Sequence, residues 1–387
     1  MEEDYVRKQL VALGVLCALL PGFGGMVQAV DCPSVSAASA VLMDADSGRV
    51  LYEKDGDTPR AIASITKLMT ALVAVECLDD LSQSVTIRPE WTGVEGTSLY
   101  LKAGEEIALE TLLYGLLLHS GNDAAVALSA ICGGKTETFV EWMNQRAKDL
   151  GMVNTHFADP HGLSSENHYS TARDMAKLAA ACLKNPTISK VTATRTIVLQ
   201  GRSFTNHNKL LWQYENCTGM KTGYTRQAGR TLVSSAEKDG QRLVCVTLND
   251  SDDWRDHKAL LDYGFSAFPQ TTLAQAGEVL GQVPMEGSLL HQLPAAVRDT
   301  VRCPLQKGEE VTTQVDLPDQ VQAPVFAGKI AGSVRFFVGS RQVGESYLIW
   351  QGSAGRDVLK KPPARSPLEW LKRWKETAQW QFPSLAP

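Results

Sequence analysis

The sequence predicts a mixed α/β (α+β) domain over residues 35–270, followed by a small all-β domain over residues 271–360. In the first part, strand-like runs stand near both ends and helical stretches lie between them, which favours one sheet closed by the two ends of the domain. In the second part, short β-rich runs are separated by glycine and proline. A chain of 387 residues is also long enough for two domains.

The elements of the first domain are predicted from the period of their apolar residues and from turn residues. A β-hairpin is predicted over residues 38–54, because alternating apolar residues flank the turn cluster Asp46-Ser47-Gly48. One long helical stretch is expected to break at Ser120-Gly121-Asn122, since glycine and asparagine interrupt helices. The predicted helices are Ser64 to Leu78, which is apolar on several faces and expected to be buried, Thr111 to Ile131, Phe139 to Leu150 and Thr171 to Leu183. The predicted strands are Thr196 to Leu199, Gly229 to Ala236 and Leu243 to Leu248.

The second domain is followed by a tail of different character. The strands predicted in the second domain include Val311 to Val315, Ser333 to Val338 and Ser346 to Trp350. In the tail, Ser366-Pro367-Leu368-Glu369 is a capping box with proline at the first helical position, which predicts an amphipathic helix within residues 366–387. Because three tryptophans and several basic residues crowd into it, we expect this tail to lie in a membrane interface. Packing of the helix on its own β domain is the alternative.

The N-terminus has the pattern of a signal peptide. Arg7 and Lys8 precede an apolar run from Leu10 to Leu20, and Val27-Gln28-Ala29 supplies small residues for cleavage after Ala29. We therefore expect residues 1–29 to be removed and the protein to be exported, with a buried N-terminal helix as the alternative. No other stretch reaches the roughly 18 to 20 apolar residues that a membrane span needs.

Composition excludes several classes of function. A net charge of −5 without any basic run argues against nucleic acid as a partner. The seven histidines include no His-Glu-x-x-His and the eight cysteines no Cys-x-x-Cys, so neither a metal site nor any other cofactor is predicted. Cys77, Cys132, Cys182 and Cys245 lie in apolar runs and are interpreted as small core residues.

Three short motifs carry the functional prediction. They are Ser64-Ile65-Thr66-Lys67, Ser120-Gly121-Asn122 and Lys221-Thr222-Gly223. The first two patterns occur a second time, from Ser235 to Lys238 and as Ser165-Glu166-Asn167, so neither is specific alone. The order and wide spacing of all three are typical of serine enzymes that form an acyl-enzyme with penicillin.

The first motif pairs a nucleophile with a base. Serine is a weak nucleophile, and residues three apart on a helix share a face, so Lys67 is expected beside Ser64. A serine at a helix start also receives free backbone N–H groups that can face a reacting carbonyl. Lys67 must be neutral to accept a proton, and we expect burial and the nearby cation Lys221 to lower its pKa. The alternative for this motif alone is a capped helix with a solvated lysine.

The other two motifs complete the predicted site. Ser120 supplies a hydroxyl that can relay the proton to the leaving amine, and Asn122 an amide that can hold a substrate peptide bond. Lys221 and Thr222 offer an ammonium and a hydroxyl to a terminal carboxylate, and Gly223 lets a substrate approach the strand closely. A structural loop and an exposed strand end are the alternatives for these motifs taken singly.

From about Ala38 to Phe268 the chain resembles the D-alanyl-D-alanine carboxypeptidase family of low-molecular-mass penicillin-binding proteins. The resemblance extends to the residues around each motif and to Asp159-Pro160-His161-Gly162-Leu163. It implies a β-lactamase/transpeptidase-like fold, with a helical subdomain beside a five-stranded sheet. It also implies the roles of the site residues: Ser64 nucleophile, Lys67 base, Ser120 proton relay, Asn122 substrate binder, Lys221 and Thr222 carboxylate anchors, and the backbone N–H groups of Ser64 and Tyr224 as the oxyanion hole. Many family members have histidine where Tyr224 stands.

The resemblance implies a wall-trimming enzyme with peptidoglycan stem peptides as substrates and β-lactam antibiotics as acylating inhibitors. It would act outside the cell, associated with the outer face of the cytoplasmic membrane. A serine β-lactamase on the same scaffold and a non-catalytic binder of penicillin or stem peptides are the alternatives. Glu141 and Asn144 imitate the Glu-x-x-Asn pattern of one β-lactamase class, but their amphipathic helix favours a surface position for Glu141.

Overall fold

The computed structural model describes residues 31–163 and 166–356. The predicted signal peptide and the predicted amphipathic tail lie outside the described residues. The α-helices are α1 Lys67–Cys77, α2 Leu109–Tyr114, α3 Asn122–Gly133, α4 Thr136–Asp149, α5 Ala172–Lys184, α6 Pro186–Ala193, α7 Leu210–Gln213 and α8 Asp253–Ala267. The strands are β1 Ser39–Asp44, β2 Val50–Lys54, β3 Ser84–Thr86, β4 Glu106–Ala108, β5 Thr196–Leu199, β6 Arg202–Thr205, β7 Cys217–Thr225, β8 Gly229–Lys238, β9 Gln241–Leu248, β10 Gln270–Ala274, β11 Val279–Glu286, β12 Gln292–Val297, β13 Val301–Pro304, β14 Val311–Asp316, β15 Val321–Gln322, β16 Ile330–Val338 and β17 Arg341–Trp350.

A five-stranded antiparallel sheet joins the two ends of the first domain, as predicted. Its order is β2-β1-β9-β8-β7, so the N-terminal hairpin pairs with the strands that follow the helices. Val41 stands opposite Val246, which stands opposite Val233, which stands opposite Lys221. Directly opposed residues share one face of a sheet, so Lys221 points to the same side as the three valines. That side is the core of the helical layer.

The helical layer is built around α1. Every residue from Lys67 to Ala74 is buried, which confirms the expectation of a helix surrounded on all sides. The predicted break at Ser120-Gly121 is also present, between the helical segment that ends at His119 and α3. The helices predicted from Phe139 to Leu150 and from Thr171 to Leu183 correspond to α4 and α5, whose ends lie within about three residues of the predicted ones. The strand predicted from Thr196 to Leu199 is β5, which pairs with β6 in a small separate sheet.

The opposite face of the sheet is covered by α8, which the sequence analysis did not predict. Leu260 and Leu261 of this helix join Leu42 and Cys245 in a second apolar core. The sheet is therefore a middle layer between the helical layer on one face and α8 on the other, and the fold class predicted for the first domain is confirmed.

Of the four cysteines interpreted as core residues, two are buried and two are not. Cys182 and Cys245 are buried as expected. Cys77 is exposed and Cys132 is only partly buried, because both lie at the C-terminal ends of their helices, where the apolar core stops.

The C-terminal part is all β, as predicted. A six-stranded sheet has the order β14-β16-β17-β12-β11-β15, and β10 pairs with β13 beside it. Arg49, from the turn between β1 and β2, ties this part to the first domain. Its guanidinium donates hydrogen bonds to the carbonyl of Pro304 and to Glu309 and lies 4.9 Å from the ring centroid of Phe268.

Candidate active site

Ser64 and Lys67 lie side by side at the start of the central helix. Ser64 belongs to a 3₁₀ turn over Ala63–Thr66, which continues directly into α1. The Nζ atom of Lys67 is 2.9 Å from the Oγ atom of Ser64. The structure thus brings the two side chains together as their spacing predicts, although the turn is tighter than an α-helix.

The amine of Lys67 is fully buried among three oxygen atoms. Besides Ser64 Oγ, these are Asn122 Oδ1 at 2.7 Å and the backbone oxygen of His161 at 2.9 Å. Burial, and after it the positive charge of Lys221, lowers the pKa of Lys67 well below its ordinary value of 10.5. The direction of this shift and its two causes agree with the expectation from the sequence.

These contacts determine the direction of the hydrogen bond between the two side chains when Lys67 is neutral. A neutral amine has two N–H groups and one lone pair. Asn122 Oδ1 and the His161 carbonyl can only accept hydrogen bonds, so they take the two N–H groups. The lone pair of Lys67 is left facing the Ser64 hydroxyl, which is the arrangement a general base needs.

The second motif turns the chain between two helical segments. A π-helical turn over Gly115–His119 ends at Ser120, whose φ of 68° lies in the left-handed region. Asn122 then opens α3, and its Nδ2 donates to the backbone oxygen of Glu95 at 2.5 Å. This bond orients the amide so that its oxygen faces Lys67. The structure therefore gives Asn122 a positioning contact that its predicted role in substrate binding did not include.

The third motif lies on β7, the edge strand of the sheet next to the Ser64 turn. Lys221 is buried, its Nζ donates to the backbone oxygen of Thr222 at 2.9 Å, and burial lowers its pKa to about 7. A Cβ atom added at Gly223 would lie only 2.9 Å from the backbone nitrogen of Ser64. A glycine is thus required for this approach of strand and turn. Tyr224 follows and is exposed.

The motifs open into one cleft of about 500 Å³. It is lined by Ser64, Thr97, Ser120, His207, Thr222, Gly223, Tyr224, Arg230, Asp253 and Trp254. Lys67, Asn122 and Lys221 lie behind this lining, because they are buried. The hydroxyls of Ser64, Ser120 and Thr222 therefore face the cleft, while the amines of Lys67 and Lys221 are buried behind it.

One wall of the cleft was missed by the sequence analysis. Asp253 and Trp254 belong to the first turn of α8, and Arg230 pairs with Asp253 at 2.6 Å and lies over the Trp254 ring. The sequence did contain signals of this helix, namely the acidic residues of its first turn, Asp253 and Asp256, and the apolar pair Leu260 and Leu261.

A tight turn supplies the carbonyl that holds Lys67. The carboxylate of Asp159 accepts hydrogen bonds from the backbone nitrogens of His161 at 2.9 Å and Gly162 at 2.6 Å. Burial raises the pKa of Asp159, but the hydrogen bond and charge of His161 outweigh it and bring this pKa to about 2. The residues of this turn were part of the resemblance, but a contact with Lys67 was not predicted.

The look-alike residues lie elsewhere. Ser235 is fully buried inside β8, and Glu141 is exposed on α4, as expected. Within residues 31–163 and 166–356, no cluster of three or more His, Cys, Asp or Glu side chains is placed to hold a metal ion. Over the same residues, no helix is both long and apolar enough to span a bilayer.

Comparison with known proteins agrees with this arrangement. A family model described as D-alanyl-D-alanine carboxypeptidase matches residues 26–252, and one described as the C-terminal domain of penicillin-binding protein 5 matches residues 268–356. The chain is 33% identical to the D-alanyl-D-alanine carboxypeptidase DacF of Bacillus subtilis, over 77% of this chain and 80% of that protein. It is also 33% identical to the D-alanyl-D-alanine carboxypeptidase DacC of Escherichia coli, over 83% and 85% respectively.

Solved structures show the same similarity. The crystal structure of penicillin-binding protein 5 from Haemophilus influenzae superposes with a TM-score of 0.72 at 30% identity, over 84% of this chain and 99% of that one. The similarity therefore extends through both the mixed domain and the all-β domain.

We predict that Gly162→Ala impairs the site more than Gly104→Ala does, although the two glycines have similar positive φ values. Gly162 has a φ of +86°, and an added Cβ would lie 2.0 Å from the backbone oxygen of Ala63, next to Ser64. Gly104 has a φ of +82°, but an added Cβ meets nothing within 4 Å. Gly104→Ala should therefore lower the free energy of unfolding by about 1 kcal/mol, and Gly162→Ala by about 2 to 4 kcal/mol.

Urea unfolding measures the stability difference, and the rate of acylation by a fluorescent penicillin measures the effect on the site. We expect that rate to fall at least about tenfold in Gly162→Ala, because a shift of roughly 1 Å in a reacting group has effects of this order or larger. Gly104→Ala should keep the wild-type rate. Equal rates in the two variants would show that the contact between Gly162 and Ala63 does not position Ser64.

Proposed function

Because the chain belongs to the D-alanyl-D-alanine carboxypeptidase family, we propose that it removes the terminal D-alanine from peptidoglycan stem pentapeptides through an acyl-enzyme on Ser64. The observation that carries this proposal is the contact between Ser64 Oγ and an amine whose other two partners are acceptors. In the free enzyme, the lone pair of that amine faces the Ser64 hydroxyl, so it is placed to take the serine proton. Penicillins would acylate the same oxygen.

Acylation begins with transfer of the Ser64 proton to Lys67. The Ser64 oxygen attacks the carbonyl of the penultimate D-alanine, and the backbone N–H groups of Ser64 and Tyr224 stabilise the oxyanion. Ser120, which lines the same cleft, passes the proton from Lys67 to the nitrogen of the leaving D-alanine. The amide bond breaks, D-alanine leaves, and an ester on Ser64 remains.

The carboxylate of the substrate is bound at the far side of the cleft. Lys221 lies behind Thr222, so its charge and the Thr222 hydroxyl act on the same end of the substrate. Gly223 admits the substrate backbone next to β7, and the second N–H of the Asn122 amide is directed to a substrate carbonyl. These roles account for all three motifs together.

Deacylation reuses the same base. After acylation the Lys67 amine keeps its contacts with Asn122 and the His161 carbonyl, so its lone pair still faces the ester. A water molecule attacks the ester carbonyl and gives its proton to Lys67, which returns a proton to Ser64 as the ester breaks. Glu141 has no part in this step, because it lies exposed on α4 and does not line the cleft.

We predict that Ser64→Ala abolishes both covalent labelling by a fluorescent penicillin and release of D-alanine from a stem pentapeptide. Ser235→Ala is the matched control, since Ser235 is the first residue of the other Ser-x-x-Lys pattern and lies in the interior of β8. It should leave the labelling stoichiometry unchanged. The measurements are gel fluorescence of the labelled protein and an assay of free D-alanine.

The outcomes separate this function from its alternatives. Equal labelling of Ser64→Ala and wild type would overturn the assignment of the nucleophile. Labelling of wild type without any D-alanine release would indicate a non-catalytic binder. Loss of the penicillin label within seconds would indicate a β-lactamase, whereas a slowly released label with D-alanine release agrees with the carboxypeptidase.

We predict that kcat/KM on a stem pentapeptide falls as the pH rises above about 7. Burial brings the pKa of Lys221 to about 7, so above this pH the free enzyme loses the cation that binds the carboxylate. The decline should approach about tenfold per pH unit, as for loss of one required proton. In Lys221→Arg the guanidinium stays charged, so this decline should disappear. The same decline in both proteins would exclude Lys221 as its cause.

We propose further that residues 366–387 hold the exported protein at a membrane surface. The proposal is supported by the capping box, the three tryptophans and the basic residues of that segment. The mature chain should co-sediment with phosphatidylglycerol vesicles, and a chain ending at Arg356 should stay in the supernatant. If the full mature chain also stays in the supernatant, the tail does not bind membranes.

A further inference from the structure

α1 and α3 pack side by side and run in the same direction. Residues that contact each other at both ends of the two helices are separated by the same number of positions in the chain. At their N-terminal ends Lys67 contacts Asn122, which lies 55 residues later in the chain. At their C-terminal ends Cys77 contacts Cys132, a pair with the same sequence separation. Ten residues of α-helix rise roughly 15 Å, so the cysteine pair lies about that far along the helices from the base.

The two thiols are close enough to interact directly. Burial, and after it the hydrogen bond and the charge of Cys77, raises the pKa of the Cys132 thiol. Between the two contacts the helices carry small buried residues, including Ala74 and Ser129, which allow the helix axes to approach. The packing of α1 on α3 therefore places Cys77 and Cys132 side by side at the C-terminal ends of the two helices.

The pair differs in accessibility from three of the other five cysteines that the structure describes. Cys77 is exposed and Cys132 partly buried, whereas Cys182, Cys245 and Cys303 are buried. Cys77 is thus accessible to a reagent in solution, and the less accessible Cys132 lies beside it. This pair could not be predicted from the sequence, because the two residues are far apart in the chain and no regular cysteine spacing is present.

We propose that Cys77 and Cys132 form a disulfide bond that links the C-terminal ends of α1 and α3 when the protein meets a disulfide oxidant. The proposal goes beyond the proposed enzymatic function and does not rest on it. An exported protein would meet such an oxidant outside the cytosol.

The reaction is a thiol–disulfide exchange with a small-molecule disulfide. The Cys77 thiolate attacks one sulfur of the donor, the S–S bond of the donor breaks, and one donor thiolate leaves. Cys132 loses its proton to water, and its sulfur attacks the Cys77 sulfur, which expels the second donor thiolate. The protein loses two protons and two electrons, and one donor disulfide becomes two donor thiols.

The consequence for the enzyme is a covalent link between the helix that bears Lys67 and the helix that begins at Asn122. The link lies at the opposite end of both helices and leaves the cleft untouched. It closes a long loop, which restricts the unfolded chain more than a short loop would. We therefore expect the oxidised protein to be more resistant to heat, with no change in its acylation chemistry.

A tryptic digest tests the link directly. Cleavage after Lys67, Lys102 and Lys135 yields peptides 68–102 and 103–135, since the bond between Arg88 and Pro89 resists trypsin. Each peptide contains one cysteine, Cys77 in the first and Cys132 in the second. After incubation of the mature chain with oxidised glutathione and alkylation of the remaining thiols, mass spectrometry should find the two peptides joined. The joined species should disappear on reduction.

Matched variants give the controls. Cys77→Ser and Cys132→Ser should each abolish the joined peptides, and Cys32→Ser, which removes another exposed cysteine, should keep them. Oxidation should raise the melting midpoint of wild type and Cys32→Ser by roughly 5 to 15 °C, and should leave the other two variants unchanged. Wild-type protein in which Cys77 stays joined to glutathione, or pairs with a second chain, would overturn the proposal. None of these readouts depends on acylation or turnover.

Discussion

The active site depends on one unfavourable requirement, which is that a lysine amine must be kept out of water in the centre of the protein. A charged ammonium in such a place costs several kcal/mol, so burial makes Lys67 give up its proton more easily. Its partners come from three separate parts of the chain: the Ser64 turn, Asn122 on α3 and the His161 carbonyl in the Asp159 turn. Because all three parts contact the same amine, a shift of any one of them would change the environment of Lys67.

A second buried lysine has the opposite task. In the proposed mechanism Lys221 carries a charge to attract a carboxylate, yet it lies on the inner face of the sheet, where burial lowers its pKa as well. The two amines also repel each other, which further favours the neutral form of Lys67. A bound carboxylate would stabilise the proton on Lys221. Substrate binding would thus favour the protonation states that the proposed reaction needs, with Lys221 charged and Lys67 neutral. In the proposed mechanism, recognition of the substrate and activation of Ser64 are therefore linked through charge.

Local features of the site could be predicted from the sequence, whereas contacts made by the backbone could not. The neighbourhood of Ser64 and Lys67 follows from their spacing. The strand that carries Lys221, β7, was not among the strands predicted from the sequence, which lie before and after it. The His161 carbonyl is 94 residues from Lys67, and any residue type can present a carbonyl, so no pattern reveals it. The wall formed by Trp254 was missed although α8 carries signals of a helix, namely the acidic residues Asp253 and Asp256 in its first turn and the buried pair Leu260 and Leu261.

Backbone strain marks each of the three motifs. Ala63, Ser120 and Met220 have φ values of 50°, 68° and 88°, in a region that residues with a Cβ rarely adopt. The first precedes Ser64, the second belongs to its motif, and the third precedes Lys221. All three are buried, so the surrounding packing can hold them in conformations that each cost of order 1 to 3 kcal/mol. Glycine at these positions would relieve the strain but would also free the backbone to leave it. The stability of the core is thus used to fix the directions in which the serine hydroxyls and the lysine amines point.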